Sequence, residues 1–202
     1  MIREAGVFFK MIIISAGRRI DALDAKQARF PLNNAGRVAT EVRARLQDLR
    51  ARVVVSSAAC GADLIVLKEA QALGVQLRIV LPFEPARFRQ TSVVDRPGDF
   101  TWDWGSLFDE LVEHAEKTGA LIVLPPEGDE TAAYIATNRR ILEEALKLSQ
   151  EIAPENRADP GRASITALII WEGSSRGEDD LTAQLMSQAR EAEIPVEQVL
   201  TL

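Results

Sequence analysis

Short apolar runs alternate with longer stretches of helical periodicity along the chain. Positions 11–15, 53–57, 77–81, 120–124, 165–171 and 196–200 are nearly continuous in hydrophobicity and rich in β-branched residues. Such runs predict short strands covered on both faces, as in a parallel sheet. Between them, Ala35, Val38, Val42, Leu46 and Leu49 recur at helical spacing within 33–50, after a candidate Asn N-cap, and a second helical stretch at 62–73 stops at Gly74. Segments 107–117, 131–150 and 179–193 continue the pattern. Strict alternation of strand and helix predicts an α/β domain of Rossmann-like, doubly wound type, with a mostly parallel sheet of about six strands and helices on both faces. No internal repeat interrupts it, so 1–202 reads as a single domain. The polar Pro/Gly stretch at 153–162 is expected to be an exposed connection, because too few residues follow it to build another α/β unit.

In such folds ligands collect beyond the carboxyl ends of the strands, where two passages stand out. The first is Ser15-Ala16-Gly17-Arg18-Arg19-Ile20-Asp21, and the second is Ser56-Ser57-Ala58-Ala59-Cys60-Gly61-Ala62-Asp63. A strand that breaks into small residues before a helix lets backbone N–H groups approach an anion, so Ser57, Gly61 and Ala62 are expected to cradle a phosphate. A β-branched residue at Gly61 would then block the ligand. Arg18 and Arg19 are suited to bidentate phosphate recognition. The structural alternatives are tight helix packing at Gly61, backbone satisfaction by Ser56 and Ser57, and a salt bridge from an arginine to Asp21.

A third strand end carries Pro82 and Phe83, with Phe88 beyond; the prolines read as a fixed loop, and the rings either stack on a base or plug the core. The stretch 100–104, with Trp102 and Trp104, reads as a lid or as a hydrophobic staple for the next helix. After the fifth strand, Glu172, Gly173 and Asp180 form either a well-capped turn or a site where an acid binds ribose hydroxyls and Gly173 closes the far side. Cys60 reads as a small buried hydrophobe and His114 as an ordinary helix-face residue.

One cysteine and one histidine exclude a disulfide framework and a CxxC zinc site, and no metal or cofactor is expected. A net charge of −6 disfavours duplex nucleic acid as a partner, although a local arginine cluster can still hold one small anion. No run approaches the roughly 20 apolar residues that span a bilayer, and residues 1–6 lack the features of a signal peptide, so no membrane association and a cytoplasmic location are expected.

The arrangement resembles the SLOG superfamily, the Rossmann-like group that joins the DNA-processing DprA/Smf proteins, the LOG cytokinin-activating enzymes and many nucleotide-ligand sensors. Ser15 to Asp21 is similar to the family's small-Gly-His-Arg-x-Asp opening, Ser56 to Asp63 to its Ser/Gly-rich second turn, and Val80-Leu81-Pro82-Phe83 with Phe88, Ser92 and Val93 to its third element. The resemblance implies a module that binds a nucleotide-derived small molecule through Ser15, Gly17, Arg19, Ser57, Gly61, Ala62, Pro82 and Gly173, with Arg18, Asp21, Ser56, Asp63 and Phe83 beside them. It also implies control of an effector, fused or separate, often in stress or antiviral signalling, and pairing as a homodimer. The aliphatic final strand and exposed-looking Trp102 and Trp104 point the same way. Arg18 stands where the family has histidine, and the LOG hydrolase motif Pro-Gly-Gly-x-Gly-Thr-x-x-Glu is replaced by Pro125-Pro126-Glu127-Gly128-Asp129-Glu130 and the 173–180 turn. The expectation is therefore a sensor with no catalytic residues. The competing expectation is an enzyme cleaving a nucleoside N-glycosidic bond, LOG-like or deoxyribosyltransferase-like, with Glu172, Glu178 or Asp180 as the carboxylate.

Overall fold

A computed structural model describes residues 11–125, 128–152, 164–177 and 179–202. The 153–162 connection, the N-terminal residues 1–6, Pro126, Glu127 and Glu178 lie outside the described residues. Six strands form one sheet: β1 (Met11–Gly17), β2 (Ala51–Ser56), β3 (Gln76–Leu81), β4 (Leu121–Val123), β5 (Ile165–Trp171) and β6 (Val196–Leu200). Every pairing is parallel and the order is β4-β3-β2-β1-β5-β6, the doubly wound arrangement expected from the alternation. The chain reverses its direction of travel across the sheet between β1 and β5. That is its topological switch point.

The pleat divides the core into two layers. Ile13, Val54, Leu77, Ile79 and Ile170 face α1 (Ala35–Asp48), α2 (Ala62–Ala72), α3 (Pro85–Ser92) and α4 (Trp104–Lys117). Ile12, Ile14, Val53, Val55 and Ile169 face α5 (Glu130–Glu151) and α6 (Leu181–Glu191). Burial on both faces is why these strands read as unbroken apolar runs rather than alternating ones. No helix among the described residues is long and apolar enough to cross a membrane.

Three local expectations change. Pro85 does not fix a loop but occupies the first turn of α3, where the missing N–H is no loss and the ring pre-sets φ. Asn34 precedes α1 without a side-chain cap, and its amide donates instead to the Thr201 carbonyl, 2.8 Å away. Trp102 and Trp104 are buried, stacked on each other with centroids 5.1 Å apart, and Trp104 Nε1 donates to the Pro97 carbonyl at 2.9 Å. Asp103 between them caps α4 by accepting from Ser106 N–H. The tryptophans therefore close the core of one chain, and Phe100 is the exposed ring of that stretch.

Two glycines lock α2 against the sheet end. A Cβ on Gly17 would stand 2.3 Å from the Ala62 Cβ and 2.6 Å from the Ile170 carbonyl oxygen. Gly61, at φ +92°, would carry a Cβ 2.8 Å from both the Arg18 carbonyl oxygen and the Ile20 nitrogen. Its constraint is thus the backbone of the first turn and not a ligand, which corrects the expectation that a side chain there would chiefly block phosphate. Gly17→Ala is expected to cost roughly 1–3 kcal/mol of stability by overpacking, whereas Gly36→Ala, in α1 with no atom within 4 Å of the new Cβ, should gain up to about 1 kcal/mol. Chemical denaturation of the two variants checks the contrast.

Candidate functional site

Where β1 and β5 send their helices to opposite faces, a cavity of about 540 Å³ opens at the carboxyl ends of the strands. Of the residues singled out in the sequence, Ser15, Gly17, Arg18, Arg19, Asp21, Ser57 and Asp63 line it. Ser56, Gly61, Ala62, Pro82, Phe83 and Gly173 are not among its lining residues. Ser15 Oγ donates to Ser56 Oγ at 2.9 Å, which pairs the two hydroxyls across adjacent strands. Phe83 packs edge-on to Tyr134 beneath the Arg87 guanidinium, and Gly173 serves its turn at φ +92°.

Of the expected N–H cradle, the Ala62 member is taken up from within. Ala62 N–H donates to the Arg18 carbonyl at 3.0 Å, and Cys60 N–H to that of Ser92 at 3.0 Å. Asp63 sits in the first turn of α2 and accepts from Ala59 N–H at 3.3 Å and from the Gly17 backbone. A carboxylate therefore stands where the helix dipole and the turn would otherwise receive an anion. Burial pushes its pKa up to about 7, against the opposing pull of those N–H groups and of Arg19.

Consecutive arginines leave β1 in opposite directions. Arg18 is buried: Nε donates to Glu172 Oε2, Nη1 to Asp180 Oδ1 at 2.6 Å, and Nη2 to Asp180 Oδ2 and the Ser174 carbonyl, both at 2.8 Å. All three nitrogens are spent, and Trp171 lies 5.7 Å from the guanidinium carbon. Direct anion binding by Arg18 gives way to a structural tie, made to Glu172 and Asp180 rather than to Asp21. Burial alone would raise both of those carboxyls, yet Arg18 and nearby donors hold each below the usual range. Arg19 instead reaches Asp95 and the Cys60 thiol, and its Nε is buried with no hydrogen-bond partner. Burial pushes the Cys60 thiol up despite Arg19, and His114 is exposed on α4.

Asp21 has a different task. Its carboxylate accepts from the N–H groups of Arg29 and Phe30 at 3.0–3.2 Å, while Asp21 N–H donates to the Phe30 carbonyl at 2.9 Å. These bonds pinch off residues 22–29 as a loop that hangs over the cavity and supplies Lys26 and Arg29 to its lining. Arg29 also pairs with Glu172.

Sequence reasoning missed Arg29, Arg96, Arg176, Tyr134, Thr137 and Asn138, all of which line the cavity. Asn138 holds α5 to the start of α6, donating to the Leu181 carbonyl at 2.9 Å. A polar residue on the apolar stripe of 131–150 was its one visible mark. The arginines come from irregular segments with no local signature.

No protein-family model matches the chain, and no curated protein does. Fold and site together define a class: a Rossmann-like α/β domain with a basic cavity at its switch point.

The ionisations fix a pH profile. Asp63, with its folded pKa raised, stabilises the fold fully below the ordinary Asp value near 4 and loses that contribution as pH rises to about 7. Glu172 and Asp180, with lowered values, stabilise above their ordinary pKa and lose that as pH falls. The melting temperature is therefore expected to fall between pH 5 and 8 in the native chain and to stay flatter in Asp63→Asn. Equal slopes in thermal melts of the two proteins would refute this placement of Asp63.

Proposed function

We propose that the cavity binds a nucleotide or nucleotide-derived small molecule and that the chain is a sensing module of SLOG type. The observation that carries this is the charge of the lining. With Arg18 neutralised by Glu172 and Asp180, Arg19, Lys26, Arg29, Arg96 and Arg176 still line the cavity against Asp21 and Asp63, in a chain whose net charge is −6. Basic side chains gathered against the overall charge mark an anionic ligand. The volume lies within the roughly 300–1,000 Å³ usual for small-molecule sites, and the switch point is where nucleotides bind in open parallel sheets.

Sensing is preferred to turnover because the carboxylates available for N-glycosidic chemistry are occupied. Glu172 and Asp180 are held by Arg18, and a carboxylate kept ionised by a guanidinium is a poor proton donor. Glu178 lies outside the described residues. The enzyme reading keeps one specific support, Asp63, whose pKa near 7 suits a general acid or base facing a ligand. Incubation with a panel of nucleoside monophosphates separates the two. Unchanged nucleotide is expected, whereas release of free base, lost in Asp63→Asn, would establish the enzyme.

The sensor reading carries an effector domain or protein, a cytoplasmic setting and pairing of two copies. Mass spectrometry of molecules released on denaturing the purified protein identifies the ligand. The neighbouring arginines should differ in kind. Arg19→Ala is expected to weaken nucleotide binding at least about tenfold, for a lost charge-assisted bond worth about 1.5–3 kcal/mol. Arg18→Ala should instead cost roughly 3–5 kcal/mol of stability, because two buried carboxylates lose their shared cation. Titration calorimetry and denaturant melts measure the two effects.

A further inference from the structure

On the side of the cavity toward α3, two guanidinium groups share one carboxylate. Arg19 Nη2 donates to Asp95 Oδ1, and Arg96 Nε stands 3.6 Å from Asp95 Oδ2, within ion-pair range but too far for a hydrogen bond. The Nε atoms of both arginines are buried without a hydrogen-bond partner. Both residues line the cavity. A buried guanidinium N–H left unmade carries a desolvation cost that an oxyanion would remove.

Among the described residues, the neighbours of this pair meet that need only weakly or are engaged elsewhere. The Cys60 thiol beside Arg19 is held in its neutral form by burial, and Asp63 is committed to the backbone of Ala59 and Gly17. Asp95 is outside the lining, and its side chain is 33% exposed, so it can turn to water when a stronger anion arrives. The opposite end of the cavity differs, since Glu172 and Asp180 are almost wholly buried on Arg18. The same lining includes Phe88 and the hydroxyls of Ser92 and Tyr134, which lie 2.7 Å apart.

Resting on the nucleotide-binding reading, we propose that Arg19 and Arg96 form the subsite for the ligand's phosphoryl group and that Asp95 is a stand-in counter-ion which this group displaces. A phosphoryl group offers three acceptor oxygens where the carboxylate offers two, so it can serve the Nε atoms as well as the Nη atoms. The α2 N-terminus, occupied by Asp63 and the Arg18 carbonyl, plays no part.

Titration calorimetry of the full chain with AMP, GMP, CMP and UMP, and with the corresponding nucleosides, tests the subsite. Asp95→Asn is expected to raise affinity for the bound monophosphate roughly threefold to fivefold, since an exposed competing ion pair is lost. Arg96→Gln should lower it about tenfold, with Arg96→Lys between. Neither change should alter binding of the nucleoside. Arg45→Gln, which breaks an exposed pair with Glu197, controls for net charge and should leave affinity as it was. If the native chain binds a monophosphate but Asp95→Asn and both Arg96 variants bind it equally well, the subsite is overturned and the reading of the cavity survives. If the native chain binds neither monophosphates nor nucleosides, both fall together.

Discussion

The guanidinium of Arg18, clamped between Glu172 and Asp180, holds the switch point of the sheet together. Neighbouring strands β1 and β5 send their following helices to opposite faces, so a crevice must open between them. The clamp spans that crevice. Glu172 directly follows β5, and Asp180 caps α6 by accepting from Thr182 and Ala183 N–H groups as well as from Arg176 N–H. One cation thereby fixes the end of β1, the exit of β5 and the entry of α6. Three buried charges are costly to desolvate, and the arrangement holds because every nitrogen of the cation finds an oxygen.

With Arg18 spent in this way, its neighbour takes the opposite role. Arg18 and Arg19, the two residues that follow β1, reach different partners, so the clamp on one side leaves Arg19 to the other. There it meets a thin, partly exposed counter-charge rather than a saturated one. The cavity is thus electrically uneven. Its β5 side is balanced by buried acids, while its α3 side holds two guanidinium groups against one carboxylate.

The fold was legible because the central strands β1, β2 and β5 are buried on both faces and the helices keep their stripes, so periodicity and position agreed over most of the chain. It failed at α3, where Pro82 and Pro85 read as loop punctuation although Pro85 opens a helix. The site was legible only where the chain itself marks it, at Ser15 to Asp21 and at Asp63, an acid at the head of an apolar helix. Which of two adjacent arginines is tied into the fold depends on partners 154 and 162 residues distant, Glu172 and Asp180, and no local pattern carries that. Small residues at Gly17, Gly61 and Ala62 announced a close approach correctly in kind. The approaching group proved to be the protein's own backbone.

The pinched loop at 22–29 has a consequence for how such a domain diversifies. Its two ends are fastened by Asp21 and by the buried ring of Phe30, whereas its tip, with Leu23 93% exposed, makes little demand on the sheet below. Substitutions, insertions or deletions between 22 and 28, short of Arg29 with its tie to Glu172, would alter what overhangs the cavity while leaving β1, the clamp and α1 in place. Selection can therefore reshape the mouth of the cavity at this one hairpin-like appendage without renegotiating the fold.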